Sequence, residues 1–128
     1  MLLEILSYYL TNVEAVLKSL KDCYIEKYEE EILTPNRVNL RVRIRFSRGY
    51  LLELNEAVTV DKGHIKHFSY RYHFQNRDNT LIFRYDNTPH FPDLTNFPHH
   101  KHNPAPVVGT EKPLIAEVVE EVKKYLAT

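Results

Sequence analysis

One cysteine, Cys23, stands among the 128 residues, so no internal disulfide can staple the chain. Neither charge is in excess, with 17 Lys+Arg against 17 Asp+Glu, so net charge gives no argument for nucleic acid. Long apolar runs are missing too: MLLEILSYYLTNVEAVLKSL is interrupted by Glu4 and Glu14 well short of a membrane span. No Gly/Ser-rich or single-residue tract marks a linker, and nothing reads as a secretory signal. There is no cysteine pair, no H-E-x-x-H and no G-x-S-x-G, phosphate-loop or Rossmann pattern, which removes the common hydrolase and nucleotide-binding readings. The expectation left is a cytoplasmic protein without membrane contact, folded over residues 1–128 as a single domain with one two-layer core.

What is present is periodicity. Leu2, Leu6, Tyr9, Leu10, Val13, Val16, Leu17 and Leu20 recur at helical spacing and predict a helix over about residues 2–21. Leu114, Ile115, Val118, Val119, Val122, Tyr125 and Leu126 form a second stripe. Thr110 is its expected cap, Pro113 falls in its first turn, and Lys123 and Lys124 suit its C-terminal end. Between these segments the period is two. Val38, Leu40, Val42, Ile44 and Phe46 alternate with Asn39, Arg41, Arg43 and Arg45, and Phe68, Tyr70, Tyr72 and Phe74 alternate with His67, Ser69, Arg71 and His73. Short turns at Ser47-Arg48-Gly49, at Asp61-Lys62-Gly63 and from Asn76 to Thr80 favour an antiparallel meander, and a further strand is expected within YIEKYEEEIL. The predicted fold is α+β: a five-stranded antiparallel meander sheet with the N- and C-terminal helices packed on one face.

If Val42, Tyr70 and Phe83 face the helices, then Arg41, Arg43, Arg45, His67, Arg71, His73, Arg84 and Asp86 share the opposite face. The acids concentrate elsewhere by this reading, in the run Glu26 to Glu31 and in Glu117, Glu120 and Glu121. A cationic sheet surface follows, and guanidinium groups suit phosphates or carboxylates on it. The plainer alternative is that outward charges only discourage edge-to-edge association. Tyr70, Tyr72 and Phe74 are out of phase with Arg71, so they belong to the core and not to a base-stacking platform.

The most unusual stretch is LIFRYDNTPHFPDLTNFPHHKH, residues 81–102. It starts as a strand and then places His90, His99, His100 and His102 among Pro89, Pro92 and Pro98. Residues 87–109 are predicted as one irregular, functional loop, too long for a mere connector. Phe91, Leu94 and Phe97 would anchor it to the body, so that its histidines converge with strand-borne Arg84 and Asp86.

The run from Arg84 to His102 resembles the signature of the TumE-like toxins of bacterial and archaeal toxin–antitoxin systems. There a strand of the form L-I-F-R-x-D-N is followed by P-H, a short spacer and F-P-H-H-K-H, and the flanking elements here stand in a similar order. The resemblance implies a small toxin partnered by a separately encoded antitoxin with a helix-turn-helix domain. It also implies a ribonuclease of the mRNA-interferase kind, acting on RNA, and leaves a homodimer open.

A metal-independent ribonuclease needs a base for the 2′-hydroxyl, an acid for the leaving 5′-oxygen, and cations for the charge that develops on phosphorus. Histidine serves either proton role near neutrality. The candidate catalytic residues are His73, Arg84, Asp86, His90, His99, His100 and His102, with His100 and His102 favoured for acid–base work and Asp86 for orienting a ring. Arg41, Arg43, Arg45, Arg71 and Lys101 are the candidate substrate-binding cations. Two other classes stay open. One is a metal-dependent nuclease or hydrolase, with zinc, manganese or iron held by Asp86, His90, His100 and His102. The other is a non-catalytic RNA- or protein-binding module built on the arginine face.

Overall fold

Strands that alternate apolar and charged side chains build a sheet with one dry face, which helices must then cover. In the computed structural model, which describes residues 2–104 and 107–128, the chain opens with α1 (Glu4–Leu17). It continues through β1 (Cys23–Thr34), β2 (Arg37–Phe46), β3 (Leu51–Asp61), β4 (His64–Gln75), β5 (Leu81–Asp86), β6 (His100–His102) and β7 (Val107–Gly109). It closes with α2 (Ile115–Leu126). The strands pair antiparallel in chain order.

The sheet therefore has seven strands where five were expected. The two extra strands lie inside the segment read as an irregular loop. Strands of three residues show a single alternation, too little for a period-two signal, and the pairing partner supplies what their own sequence does not.

One hydrophobic cluster joins both helices to the sheet. Leu6, Leu10, Val13 and Leu17 of α1 and Ile115, Val118, Val119 and Val122 of α2 meet Leu40, Val42, Ile44, Leu52, Leu54, Tyr72 and Phe74. Each such fully buried aliphatic side chain contributes about 1.5–3 kcal/mol. Both helices start or stop differently from expectation. After Leu17 the N–H groups of Ser19 and Leu20 bond three residues back, and the chain leaves the helix for a left-handed Asp22 at φ 56°. Pro113 lies outside α2, where Leu114 takes the cap position and donates its N–H to Glu117 Oε1 at 2.8 Å. Thr110, the expected cap, gives its hydroxyl to Glu111 O instead.

The β3–β4 ladder shifts register between Ala57 and Val58, where His67 and Ser69 are the partners and Phe68 is extra. A one-residue insertion reverses the faces beyond it. His67, placed by alternation on the outer face, accordingly lies on the helix face against Tyr9 and Glu56. Phe68 is left exposed with the Arg37 guanidinium 4.7 Å from its ring centre.

Glu56 shares the inward parity of Leu52 and Leu54 and is only 3% exposed. Its carboxylate accepts the hydroxyls of Tyr9, at 2.5 Å, and of Tyr72, and lies 3.2 Å from His67 Nε2. Burial alone would push this carboxyl up, but the bonds from His67, Tyr72 and Tyr9 outweigh it and hold the group below its ordinary value. Replacing Glu56 by Leu strands those donors and should cost about 3–5 kcal/mol, read as a lower urea midpoint at unchanged slope. The depressed folded pKa means that the unfolded chain binds the proton more readily. Wild-type stability should therefore hold above the ordinary value of 4.5 and fall as pH drops below it, with a flatter acid limb in Glu56→Gln.

Candidate active site

Register sets the site. Ladder partners Arg71–Asp86–His100–Gly109 form one row across β4 to β7, and His73–Arg84–His102–Val107 form the next. Residues 71, 73, 84, 86, 100 and 102 therefore project together from the outer face, while Tyr72, Tyr85 and Lys101 project to the helices. Alternation alone places Arg71, His73, Arg84 and Asp86 on this face, and β6 adds His100 and His102 to them as ladder partners.

Each member has a defined state. His73 is 7% exposed and accepts a hydrogen bond from Arg84 Nε at Nδ1, 3.2 Å. Its proton must then sit on Nε2, which donates to Gln75 Oε1 at 2.8 Å. A ring that accepts from a guanidinium is neutral; burial pushes its pKa down, the Gln75 bond works against that, and Arg84 and Arg71 add to the lowering. Asp86, 4% exposed, accepts the Thr88 N–H at Oδ1, 3.0 Å, in a turn that ends β5. Its Oδ1 lies 2.9 Å from His100 Nε2 and its Oδ2 3.4 Å from His102 Nε2.

His100 is 2% exposed. Its Nδ1 faces the Pro98 carbonyl at 2.9 Å; a carbonyl only accepts, so Nδ1 carries the proton. Nε2 approaches Asp86 off the direction of a hydrogen bond and is the one buried side-chain N or O without a hydrogen-bond partner among the described residues. His102 is half-buried beside it, with ring centres 4.7 Å apart. Desolvation lowers the His102 pKa, Asp86 works against that, and His100, Arg84 and His90 add to it.

The loop before β6 covers these rings. Phe91 sets its ring edge-on to His100 at 5.2 Å and His102 at 5.8 Å. Phe91 and Leu94 are half-buried, whereas Phe97, expected as a third anchor, is 44% exposed. The Asn87 side chain clasps β4 by accepting from Tyr70 N and donating to Phe68 O. Gly109 passes so close beneath the Thr95 carbonyl oxygen that a Cβ there would collide with it. Gly109, Gln75 and the Pro98 carbonyl were not singled out from sequence, because their roles arise from tertiary approach and their identities carry no chemical signal.

Other candidates lie elsewhere. Lys101 points to the helix side, pairing with Glu121 at 2.7 Å over the Phe83 and Tyr85 rings. His99 stacks on Tyr70 and bonds its hydroxyl, with burial lowering its pKa and Lys112 adding to that. His90 is exposed on the loop. The arginine triplet is not the uncompensated patch that segregated charges suggested: Arg41 pairs with Glu29 and Glu31, Arg43 with Glu26 and Glu53, and Arg45 with Glu26. The β1–β2 register lays the acidic run directly beside the arginines.

A family model described as Toxin TumE matches residues 13–126. No curated protein and no solved structure matches the chain.

The close pass at Gly109 can be checked. Gly109→Ala should cost about 1–3 kcal/mol through overpacking and speed proteolytic cleavage within residues 87–99. Unchanged cleavage would mean that the loop does not rest on this strand.

Proposed function

The chain belongs to the TumE toxin family, and from that premise we propose that it is the toxin of a toxin–antitoxin pair, an endoribonuclease working at the outer face of β4 to β6. The observation that carries this reading is a pair of arginines without a neutralising acid. Arg71 is exposed and forms no ion pair among the described residues although Asp86 is its ladder partner, and Arg84 donates to the neutral ring of His73. Neither has a carboxylate at ion-pair distance among the described residues, whereas every member of the Arg41–Arg43–Arg45 triplet does. Two unneutralised guanidinium groups beside three imidazoles favour an anionic ligand, and a phosphodiester suits their planar donors. An open groove of 440 Å³, lined in part by Arg37, Arg41, Asn55, Ser69, Arg71 and Asn87, gives an RNA strand a path away from these groups.

In the reaction the 2′-oxygen bonds to the adjacent phosphorus and the P–O5′ bond breaks. The 2′-proton leaves with a base and the 5′-oxygen gains a proton, so the products are a 2′,3′-cyclic phosphate and a 5′-hydroxyl end. Arg84 and Arg71 stabilise the charge that builds on the phosphoryl oxygens. His73 holds Arg84 in place and is a positioning residue. His102 is the imidazole of the site that a substrate can reach, its side chain 23% exposed, and the site acts on the attacking oxygen through it. Sealed His100 supports it from below. The partner is a separately encoded antitoxin carrying a helix-turn-helix domain, and the site of action is the cytoplasm. Among the described residues no helix is long and apolar enough to cross a membrane.

The test is incubation of purified protein with labelled RNA, in EDTA and with added Mn²⁺ or Zn²⁺, followed by analysis of the new ends. Wild type should release 2′,3′-cyclic phosphate ends, and Arg84→Ala, checked to be folded, should be slower by on the order of 10²–10³-fold. Cleavage in EDTA would assign the chemistry to side chains alone, and cleavage restored only by the ion would assign it a share. No cleavage under any condition by a folded, growth-inhibiting protein would overturn the ribonuclease reading.

A further inference from the structure

We propose that Asp86, His100 and His102 bind one divalent first-row transition ion of the zinc, manganese or iron class, held by a carboxylate oxygen and two Nε2 atoms. The placement of the site rests on the functional reading above, but its ability to take an ion does not.

The donor atoms of these three residues lie within 4.8 Å of one another, on adjacent strands whose register fixes them. Both imidazoles approach the same carboxylate, one at each oxygen, at 2.9 and 3.4 Å. Metal–ligand bonds of about 2.1 Å give donor separations of this size when the angles at the metal are roughly 90–110°. Two hydrogen-bonded His–Asp pairs would also give such distances, so orientation must separate the cases.

His100 does so. Its Nδ1 proton is committed to the Pro98 carbonyl, which leaves a lone pair on Nε2. That nitrogen lies 2.9 Å from a carboxylate oxygen, so two acceptors stand side by side in a place sealed from water. Nor does protonating Nε2 repair the contact, because the approach to Asp86 Oδ1 is off the hydrogen-bond direction and no other protein partner stands among the described residues. A buried polar atom left in this state has given up water and gained no partner in exchange, which is costly. A cation shared between Nε2 and the carboxylate satisfies His100 and Asp86 together.

The surroundings have the form of an outer shell. A backbone carbonyl that accepts the far N–H of a ligating histidine fixes its tautomer and raises its basicity, which is the Pro98–His100 contact. The Thr88 N–H steadies Asp86 in the same way. Phe91 closes the apolar side over both rings. Two imidazoles with one carboxylate suit zinc, manganese or iron better than magnesium or calcium, which prefer an all-oxygen shell. Three protein ligands leave further positions for water or a phosphate oxygen. His90 lies outside the donor set, which narrows the four-residue shell expected from sequence to three.

Seven histidines give this chain ample scope for adventitious binding, so the experiment must separate one site from many. Chelator-stripped full-length protein is titrated with Zn²⁺, and with Co²⁺ as a visible probe, in the absence of RNA. One ion per chain is expected. Asp86→Asn and His100→Gln should each weaken binding by at least the ~10–100-fold that follows loss of an outer-shell partner, while His64→Ala, on the far hairpin, leaves it unchanged. Histidine ¹⁵N spectra provide a readout without substitution: Zn²⁺ should shift Nε2 of His100 and His102 and leave the Nδ1 proton of His100 in place. Binding removed by His64→Ala, retained in folded Asp86→Asn, or spread over several weak sites would make the ion adventitious and overturn the proposal. RNA cleavage by a protein that takes up no ion at these three residues would overturn this inference and keep the ribonuclease reading, and a bound ion without RNA cleavage would do the reverse.

Discussion

Three ladder pairs between β5 and β6 carry the rest of the site: Arg84 with His102, Tyr85 with Lys101, and Asp86 with His100. Because side chains alternate, this register sends two imidazoles to the outer face and the intervening ammonium to the helices. A slip of one residue would put Lys101 beside Asp86 and bury both histidines against Phe83 and Tyr85. Contacts on both faces oppose such a slip. Lys101 is held by Glu121 and two rings on one side, and His100 by the Pro98 carbonyl and the Phe91 ring on the other. A three-residue strand has little stability of its own, so these side-chain contacts and β7 keep it on the sheet.

The two buried acids on opposite faces show how differently the fold treats charge. Glu56 is surrounded by donors that the chain itself supplies, two tyrosine hydroxyls and an imidazole, and its role is complete within the core. Asp86 is almost as buried, yet one of its imidazole neighbours presents a nitrogen that its own environment leaves unpartnered. A satisfied network fixes a unique core, whereas an incomplete one carries a cost that a ligand can remove. That contrast separates the structural polar cluster from the candidate site more sharply than composition does, since both contain histidine and a carboxylate.

Much of this was legible beforehand, for identifiable reasons. Helical stripes and the alternation in VNLRVRIRF and HFSYRYHF span enough residues to establish a period, so two helices and an antiparallel meander follow from them. His67 was misplaced because a bulge changes parity without any mark in composition. The arginine triplet looked uncompensated because Glu26 and Glu29 lie 12 to 19 residues away in sequence from the arginines they meet. Only the pairing of β1 with β2 makes them neighbours.

The residue types of the candidate site, the family to which the chain belongs and the dry face of the sheet are all written in the order of amino acids. Periodicity and a dense run of histidines are local properties that a single strand of text preserves. Which histidines lie together, which charges are already neutralised and where a nitrogen is left without a partner appear only in the fold. Those depend on register, bulges and close approach between segments far apart in the chain, and such relations exist only once the chain has folded.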